Sequence, residues 1–433
     1  MKKYLVGGAV RDMLLGKTPE DKDYVIVGST EDNMLSLGFE RVGADFPVFL
    51  HPETREEYAL ARREEKTGKG YLGFTSEFGV DITLEEDLSR RDLTINSIAM
   101  EHMEDTEFFI SGDEGGYTVF DPFGGKDDLH NKILRHTSNA FEEDPVRVLR
   151  VARFKARLGK EWQVADDTKT LIENMGKSGV LEELTPERVW KELSRALTEP
   201  YPALFFDTLD ECNVLEYLFP IIHKMKSVEE PIKWHPEGNT YEHTMLVLTA
   251  ARELTDDLTV LYSALTHDFG KTLTDPNDYP KHYGHEKSGV PLVERFSDEL
   301  RVPSAMKKYA KMVCRYHMHM HKLKDMKALT FVRMFNSMRA YQDPSAIDIL
   351  HTAGCADARG RLGSHNCDIS DLSIIKDYYE ASRISFEDAV KNYTKNNQTP
   401  NDGEKIKALI EKARTGQLAK YKSELHNSNN LKV

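Results

Sequence analysis

The chain has 433 residues, 39% hydrophobic and 30% charged, with a formal net charge of −14. That is enough apolar material for buried cores, which excludes a wholly disordered chain, and a loose prior of about 150 residues per domain gives about three domains. No run approaches the roughly 18 apolar residues of a spanning helix, which excludes an integral helical membrane protein. The opening Met1-Lys2-Lys3-Tyr4-Leu5-Val6 imitates a signal peptide, but Gly7-Gly8 and the charged pair Arg11-Asp12 cut it short. It reads as the first strand of a cytoplasmic protein with no membrane partner. Cys212, Cys314, Cys355 and Cys367 lie far apart without CxxC spacing, which fits free thiols in a reducing compartment. Taken alone, −14 argues against nucleic acid as a partner. A homo-oligomer is compatible with the sequence.

The first 140 residues alternate short β-rich runs (Lys3 to Val6, Tyr24 to Val27, Phe46 to Leu50, Glu57 to Ala61) with helical patterns at Val10 to Leu15 and Glu31 to Leu37. This predicts a mixed α/β domain. From Phe141 onward amphipathic helical stretches take over, among them Asp144 to Leu158, Pro186 to Leu197 and Ala203 to Cys212, each opened by a cap or a first-turn proline. A composition shift at Ser227-Val228-Glu229-Glu230-Pro231 marks a joint before a histidine-bearing helical unit. Lys391 to Asp402 reads as a linker ahead of a charged helix from Glu404 to Arg414.

Local charge departs from the total. Residues 101 to 130 form an acidic loop or edge, whereas residues 147 to 160 carry Arg147, Arg150, Arg153, Lys155, Arg157 and Lys160 with no acid. Residues 301 to 340 hold ten Lys or Arg against the single Asp325. Both runs are candidate nucleic-acid-binding faces, the alternative being solvated helix faces.

Leu5-Val6-Gly7-Gly8-Ala9-Val10-Arg11-Asp12 places two glycines between a strand and a helix, where backbone amides approach a phosphate and Arg11 adds a charge-assisted bond. In Asp21-Lys22-Asp23-Tyr24-Val25-Ile26-Val27, carboxylates two residues apart open an apolar strand and project from one face, a geometry suited to a hard divalent cation. Arg90-Arg91-Asp92-Leu93-Thr94-Ile95-Asn96 packs guanidiniums and hydrogen-bonding side chains into one segment, with a capped helix start as the bland reading. Asp144 and Arg147 lie one turn apart at a helix start. They are either an exposed ion pair or a reader of base edges, Asp accepting from an exocyclic amino group and Arg donating to ring acceptors.

These motifs, with Asp121-Pro122-Phe123-Gly124-Gly125 and Glu143-Asp144-x-x-Arg147, occur in the order found in class II tRNA nucleotidyltransferases, and over residues 1 to 361 the chain resembles the bacterial CCA-adding enzymes that carry an HD domain. The resemblance implies an α+β protein: a polymerase-β-like nucleotidyltransferase head of mixed sheet and helices at 1–140, an all-α neck selecting nucleobases and binding RNA at 141–227, an all-α HD domain at 228–361 and a tail of open role at 362–433. It implies template-independent addition of C, C and A to tRNA 3′ ends from CTP and ATP. Asp21 and Asp23 would be catalytic and bind Mg²⁺; Gly8, Arg11 and Arg91 would contact the nucleotide's phosphates and sugar; Asp144 and Arg147 would read the base, supported by Arg150. Glu57 is a candidate third carboxylate. A poly(A) polymerase or A-only relative shares these front motifs.

Eight of the 16 histidines fall between residues 235 and 321. His267-Asp268-Phe269-Gly270-Lys271, with His243 upstream, resembles the HD phosphohydrolase signature. Asp357 is the candidate fourth ligand, and Phe269 stands where leucine is common. His285 and His317 are candidate extra ligands or phosphate contacts. The run His317-Met318-His319-Met320-His321 invites a copper site, but alternate residues diverge around a helix. The resemblance implies a metal-dependent phosphatase, 2′,3′-cyclic phosphodiesterase or 2′-nucleotidase that uses a divalent transition metal, often Ni²⁺. The alternatives from other classes are an HD phosphohydrolase with a non-catalytic RNA-binding head and a non-catalytic RNA chaperone.

Overall fold

The computed structural model describes residues 1–19, 21–42, 47–66, 74–102, 117–279, 281–367, 369–394 and 403–430. Phe46, most of the acidic stretch between 101 and 116, and most of the Lys391 to Asp402 linker lie outside them. The chain divides into two compact units, Met1–Leu218 and Phe219–Val433.

The front of the first unit carries these strands among its described residues, in chain order: β1 (Lys2–Val6), β2 (Asp23–Val27), β3 (Glu40–Val42), β4 (Val48–Leu50), β5 (Glu57–Leu60), β6 (Arg62–Lys66), β7 (Phe74–Phe78), β8 (Ala99–His102) and β9 (Tyr117–Phe120). Seven form a mixed sheet in the order β3-β4-β5-β2-β1-β8-β9, while β6 and β7 pair as a separate hairpin. β2 runs parallel to β5 and antiparallel to β1. The register sets Val6 opposite Asp23 on one side and Ala99 on the other, and Asp23 opposite Glu57. Hence Gly7-Gly8 leaves the sheet beside the Asp21-x-Asp23 segment. Gly7 has φ +73°, the left-handed conformation a side chain resists, and the Gly8–Leu14 helix starts directly after it. Tyr4, Val6, Val25, Ala61, Ile82, Leu88 and Ala99 close the core on one face of this sheet.

Behind the sheet come the helices Val146–Leu158, Asp166–Lys177, Pro186–Thr198 and Ala203–Glu211. The one departure from an all-helical neck is a two-residue strand, Gln163–Val164, parallel to Ile133–Leu134. A strand of two residues is too short to leave a pattern. Asp144 accepts the Val146 N–H at 3.2 Å and starts the first of these helices.

The second unit is helical throughout its described residues. Thr240–Leu254, Leu258–Thr266, His285–Glu299, Ser304–Met320 and Ser345–Arg359 carry the histidine-rich region. Gly270 and Gly289 permit a close approach there: a Cβ on Gly270 would lie 1.9 Å from the His285 carbonyl oxygen, and one on Gly289 would lie 2.6 Å from Cys314 Sγ. Phe269 is fully buried against Phe296, edge to face at 5.2 Å. The tail adds Ile374–Ser382, Phe386–Thr394 and Gly403–Asn430, the last running well past Arg414. It is packed onto the rest of the unit through Leu418, Tyr378 and Tyr379 against Phe331 and Phe335, with Arg414 stacked 3.4 Å over the Tyr341 ring.

Candidate active sites

A cavity of about 1040 Å³ opens in the first unit. The sheet contributes Gly7, Gly8, Asp21 and Asp23; the segment before β8 contributes Arg90, Arg91, Asp92 and Asn96; the helices contribute Asp144, Arg147, Arg150, Arg153, Arg157, Arg188, Lys191 and Arg195. The basic run at 147 to 160 is therefore no solvated stripe. Arg147, Arg153 and Lys155 are buried, and the Arg side chains of this helix line the cavity.

Most of its carboxylates are already paired. Asp92, buried, takes Arg150 Nε at 2.7 Å, Asn96 Nδ2 at 3.0 Å and the Leu93 amide at 2.8 Å. Burial alone would raise its pKa; the charge of Arg150 and these bonds outweigh it and hold the carboxyl at about 2. Asn96 Oδ1 in turn accepts from Arg11 Nη1 at 2.8 Å, and Arg11 also binds Asp12. Asp144 is bonded by Arg188 Nη2 at 2.7 Å, and Arg153 is shared between Glu192 at 2.6 Å and Glu199 at 3.4 Å. Among the described residues no ion pair or hydrogen bond closes the Asp21 or Asp23 carboxylate. Crowding by protein pushes the Asp23 carboxyl up, Arg91 draws it down, and Asp21 adds to the rise. Two adjacent carboxylates, one held uneasily in its charged form, fit a hard cation bound through oxygen.

The second unit has its own cavity of about 970 Å³, lined by His235, His243, Asp268, Lys271, His285, His317, His321 and Asp357 among others. His243 Nε2 lies 3.3 Å from Asp357 Oδ1 and 3.7 Å from Asp268 Oδ2, and His267 Nε2 lies 3.1 Å from Asp268 Oδ2. His267 Nδ1 faces the Ala264 carbonyl at 2.7 Å and must donate there, so Nε2 presents its lone pair to the cluster. His243 is oriented likewise by Glu237, at 3.0 Å from Nδ1. Burial lowers the His243 pKa, but bonds to Asp357 and Glu237 raise it to about 9. His267 Nε2 and Asp268 Oδ1 are buried with no hydrogen-bond partner. Orphaned donor atoms on residues this deeply buried fit a metal ion of intermediate softness.

Three family models match in series: the poly(A) polymerase head domain at residues 3–135, the probable RNA and SrmB-binding site of polymerase A at 163–226, and the HD domain at 240–352. Structures of a CCA-adding enzyme with CTP and with ATP match at 19% and 18% identity, with TM-scores of 0.60 and 0.62, over 96% of this chain and 87% of theirs. The Thermotoga maritima CCA-adding enzyme complexed with tRNA-CCA matches at 19% identity and a TM-score of 0.60, over the same shares. At such identities the likeness establishes the fold. This is the architecture of a CCA-adding enzyme with an HD domain.

Within that architecture, Gly8, Arg11, Asp21, Asp23, Arg91, Asp144, Arg147 and Arg150 all line one cavity. His243, His267, Asp268 and Asp357 meet in one buried cluster. Asp144 and Arg147 do not pair with each other. Arg147 donates to the Ala140 carbonyl at 2.5 Å, and Arg188 takes Asp144 instead. Arg188, Glu192, Lys191 and Arg195 sit on the Pro186–Thr198 helix, which the sequence shows only as an amphipathic stretch. Its polar face carries two arginines and a lysine about one turn apart, the signal that would have drawn attention to it. Glu57 is exposed beside Asp23 in the parallel register, outside the cavity lining. The Asp121-Pro-Phe-Gly-Gly motif serves backbone geometry: Asp121 accepts the Gly125 and Lys126 amides at 2.7 and 2.9 Å and starts the Gly125–Asn131 helix. Among the described residues no helix is long and apolar enough to cross a membrane.

Proposed function

We propose that the chain adds C, C and A to tRNA 3′ ends from CTP and ATP without a nucleic-acid template. The observation that carries this reading is the pair of unclosed carboxylates, Asp21 and Asp23, facing a cation-lined cavity of about 1040 Å³. Asp21 and Asp23 would hold Mg²⁺, and that ion would supply the positive charge that activates the terminal 3′-hydroxyl and steadies the pyrophosphate leaving group. Gly7 and Gly8 let the backbone approach the triphosphate, and Arg11 and Arg91 supply charge along it. Asp144, fixed by Arg188, accepts from the exocyclic amino group that cytosine and adenine share, and Arg147 donates to the neighbouring ring acceptors. Arg150, locked on Asp92, braces the helix that carries Arg147. Arg157, Lys191 and Arg195, exposed at the cavity wall, are placed for the tRNA backbone.

The second unit is a phosphohydrolase acting on phosphomonoesters and 2′,3′-cyclic phosphodiesters. His243, His267, Asp268 and Asp357 would hold a divalent transition ion, Ni²⁺ being one that suits imidazole donors, and that ion would supply a Lewis acid and an activated water. Four free cysteines suit a reducing cytoplasm. The A-only alternative is separated by supplying one nucleotide at a time to a tRNA that ends before the first C. CTP incorporation supports CCA addition, whereas incorporation of ATP alone makes the protein an A-adding enzyme.

A further inference from the structure

The cavity of the second unit has a lip as well as a floor. Its histidine and carboxylate cluster lies deep, whereas Trp234 and Tyr283, which line the same cavity, are 57% and 69% exposed. Large aromatic rings tend to bury most of their surface, so two left open on one cavity call for an occupant.

Both rings are held by what flanks them. Trp234 closes a turn, its N–H donating to the Pro231 carbonyl at 2.8 Å, directly before His235, whose Nδ1 lies 2.9 Å from Glu237 Oε1. Tyr283 stands between His282 and Gly284, and Gly284, with φ +73°, opens the His285–Glu299 helix. The two segments are tied to each other: His282 Nε2 lies 3.0 Å from the Glu229 carbonyl oxygen, and the Tyr279 hydroxyl donates to the Glu230 carbonyl at 3.5 Å. The rings thus border one mouth on a hydrogen-bonded frame, and little ordering is left to be done when a ligand settles on them. Charge accompanies them. Lys233 Nζ lies 4.8 Å from the centre of the Trp234 ring and Lys281 Nζ lies 5.3 Å from that of Tyr283, while Lys322 and Arg361 line the cavity. Flat rings beside ammonium groups suit a flat heterocycle that is attached to an anion.

We infer that Trp234 and Tyr283 form a base-stacking lip that selects nucleoside phosphates over other phosphate esters, the phosphate reaching the histidine-lined floor while the nucleobase lies on the rings. A cavity of about 970 Å³ has room for a whole nucleotide. Stacking needs only a π face, so the lip accepts purines and pyrimidines alike, on a free nucleotide or on the last nucleotide of an RNA. The inference rests on the reading of this unit as a phosphohydrolase and adds to it the residues that choose the ester.

The test sets adenosine 2′-monophosphate against glycerol 2-phosphate, an ester of the same kind without a base. In the full chain, Trp234→Ala and Tyr283→Ala are each expected to raise KM for the nucleotide about tenfold with kcat nearly kept, and to leave both constants for glycerol 2-phosphate unchanged. Trp234→Phe and Tyr283→Phe, which keep a ring, are expected to restore most of the loss. A second readout needs no turnover: in metal-free protein the nucleotide quenches the part of the tryptophan emission that Trp234→Ala removes. Equal losses on both esters, an unchanged nucleotide KM or absent quenching overturns the lip, while hydrolysis of the nucleotide keeps the phosphohydrolase reading standing. Quenching without hydrolysis of either ester overturns that reading and keeps the lip. A short RNA ending in a 2′-phosphate separates the two sources of the base: a KM below that of the mononucleotide assigns the lip to RNA ends, and one above it to free nucleotides.

Discussion

Asp92 binds the cavity of the first unit together: one buried carboxylate joins Arg150, Asn96 and the Leu93 amide, and through Asn96 reaches Arg11. Its folded pKa of about 2 lies below the ordinary aspartate value of 3.8, so it stabilises the fold above about pH 4. That stability is lost as pH falls toward 2 and amounts to about 2 kcal/mol. Asp92→Asn is expected to cost about that much in urea unfolding at neutral pH, with the gap to the wild type closing at acid pH. Asp21→Ala and Asp23→Ala are expected to abolish nucleotide addition while leaving hydrolysis by the second unit intact. Loss of both activities would contradict the assignment. The Asp-x-Asp pair was legible in the sequence from its spacing at the mouth of an apolar strand, although the strand begins only at Asp23 and Asp21 stands in the bend before it. Asp92's central place was not, since its partners stand 4 and 58 residues away.

At the scale of elements, the cavity wall is a contact between Val146–Leu158 and Pro186–Thr198, clamped by Arg153 and Glu192, both buried, at 2.6 Å. Glu192→Ala leaves a buried guanidinium short of one partner and is expected to destabilise the chain by about 3 kcal/mol in urea unfolding. Arg188→Ala frees Asp144 to rotate; removing a charge-assisted bond of about 1.5 kcal/mol is expected to raise KM for both nucleotides about tenfold while kcat falls less. An unchanged KM would remove Arg188 from base recognition. Helical periodicity revealed both helices. It did not reveal that they face each other, so the sequence paired Asp144 with its near neighbour Arg147 rather than with Arg188 across the contact. In the second unit the HD signature gave away His267, Asp268 and Gly270, while the approach of the His285–Glu299 helix depends also on Gly289, which the sequence does not single out.

At the scale of the whole molecule, a net charge of −14 is uninformative about nucleic acid, because charge is sorted by place. The basic run at 147 to 160 turns toward the cavity, whereas in the run at 301 to 340 Lys307, Lys308, Lys311, Arg315, Lys324 and Arg333 are answered by Asp298, Asp343, Glu294, Glu286, Asp371 and Glu411. Reversing Arg157, Lys191 and Arg195 to Glu is therefore expected to weaken tRNA binding and flatten its salt dependence, and reversing Lys307, Lys308 and Lys311 to change it little. If the two units carry the separate chemistries proposed for them, His267→Ala is expected to end hydrolysis and leave nucleotide addition unchanged. The mixed sheet and the helical remainder were legible from hydrophobic period. The β6–β7 hairpin and the β8–β9 edge were not, their short strands being set by neighbours in the sheet rather than by local pattern. The central claim meets its most direct test when a tRNA lacking its last three nucleotides is incubated with the protein, Mg²⁺, CTP and ATP and its 3′ termini are sequenced. The account predicts C, C and A added in that order and then arrest, with no addition by the Asp21→Ala, Asp23→Ala protein. A run of A, or unextended ends, would contradict it.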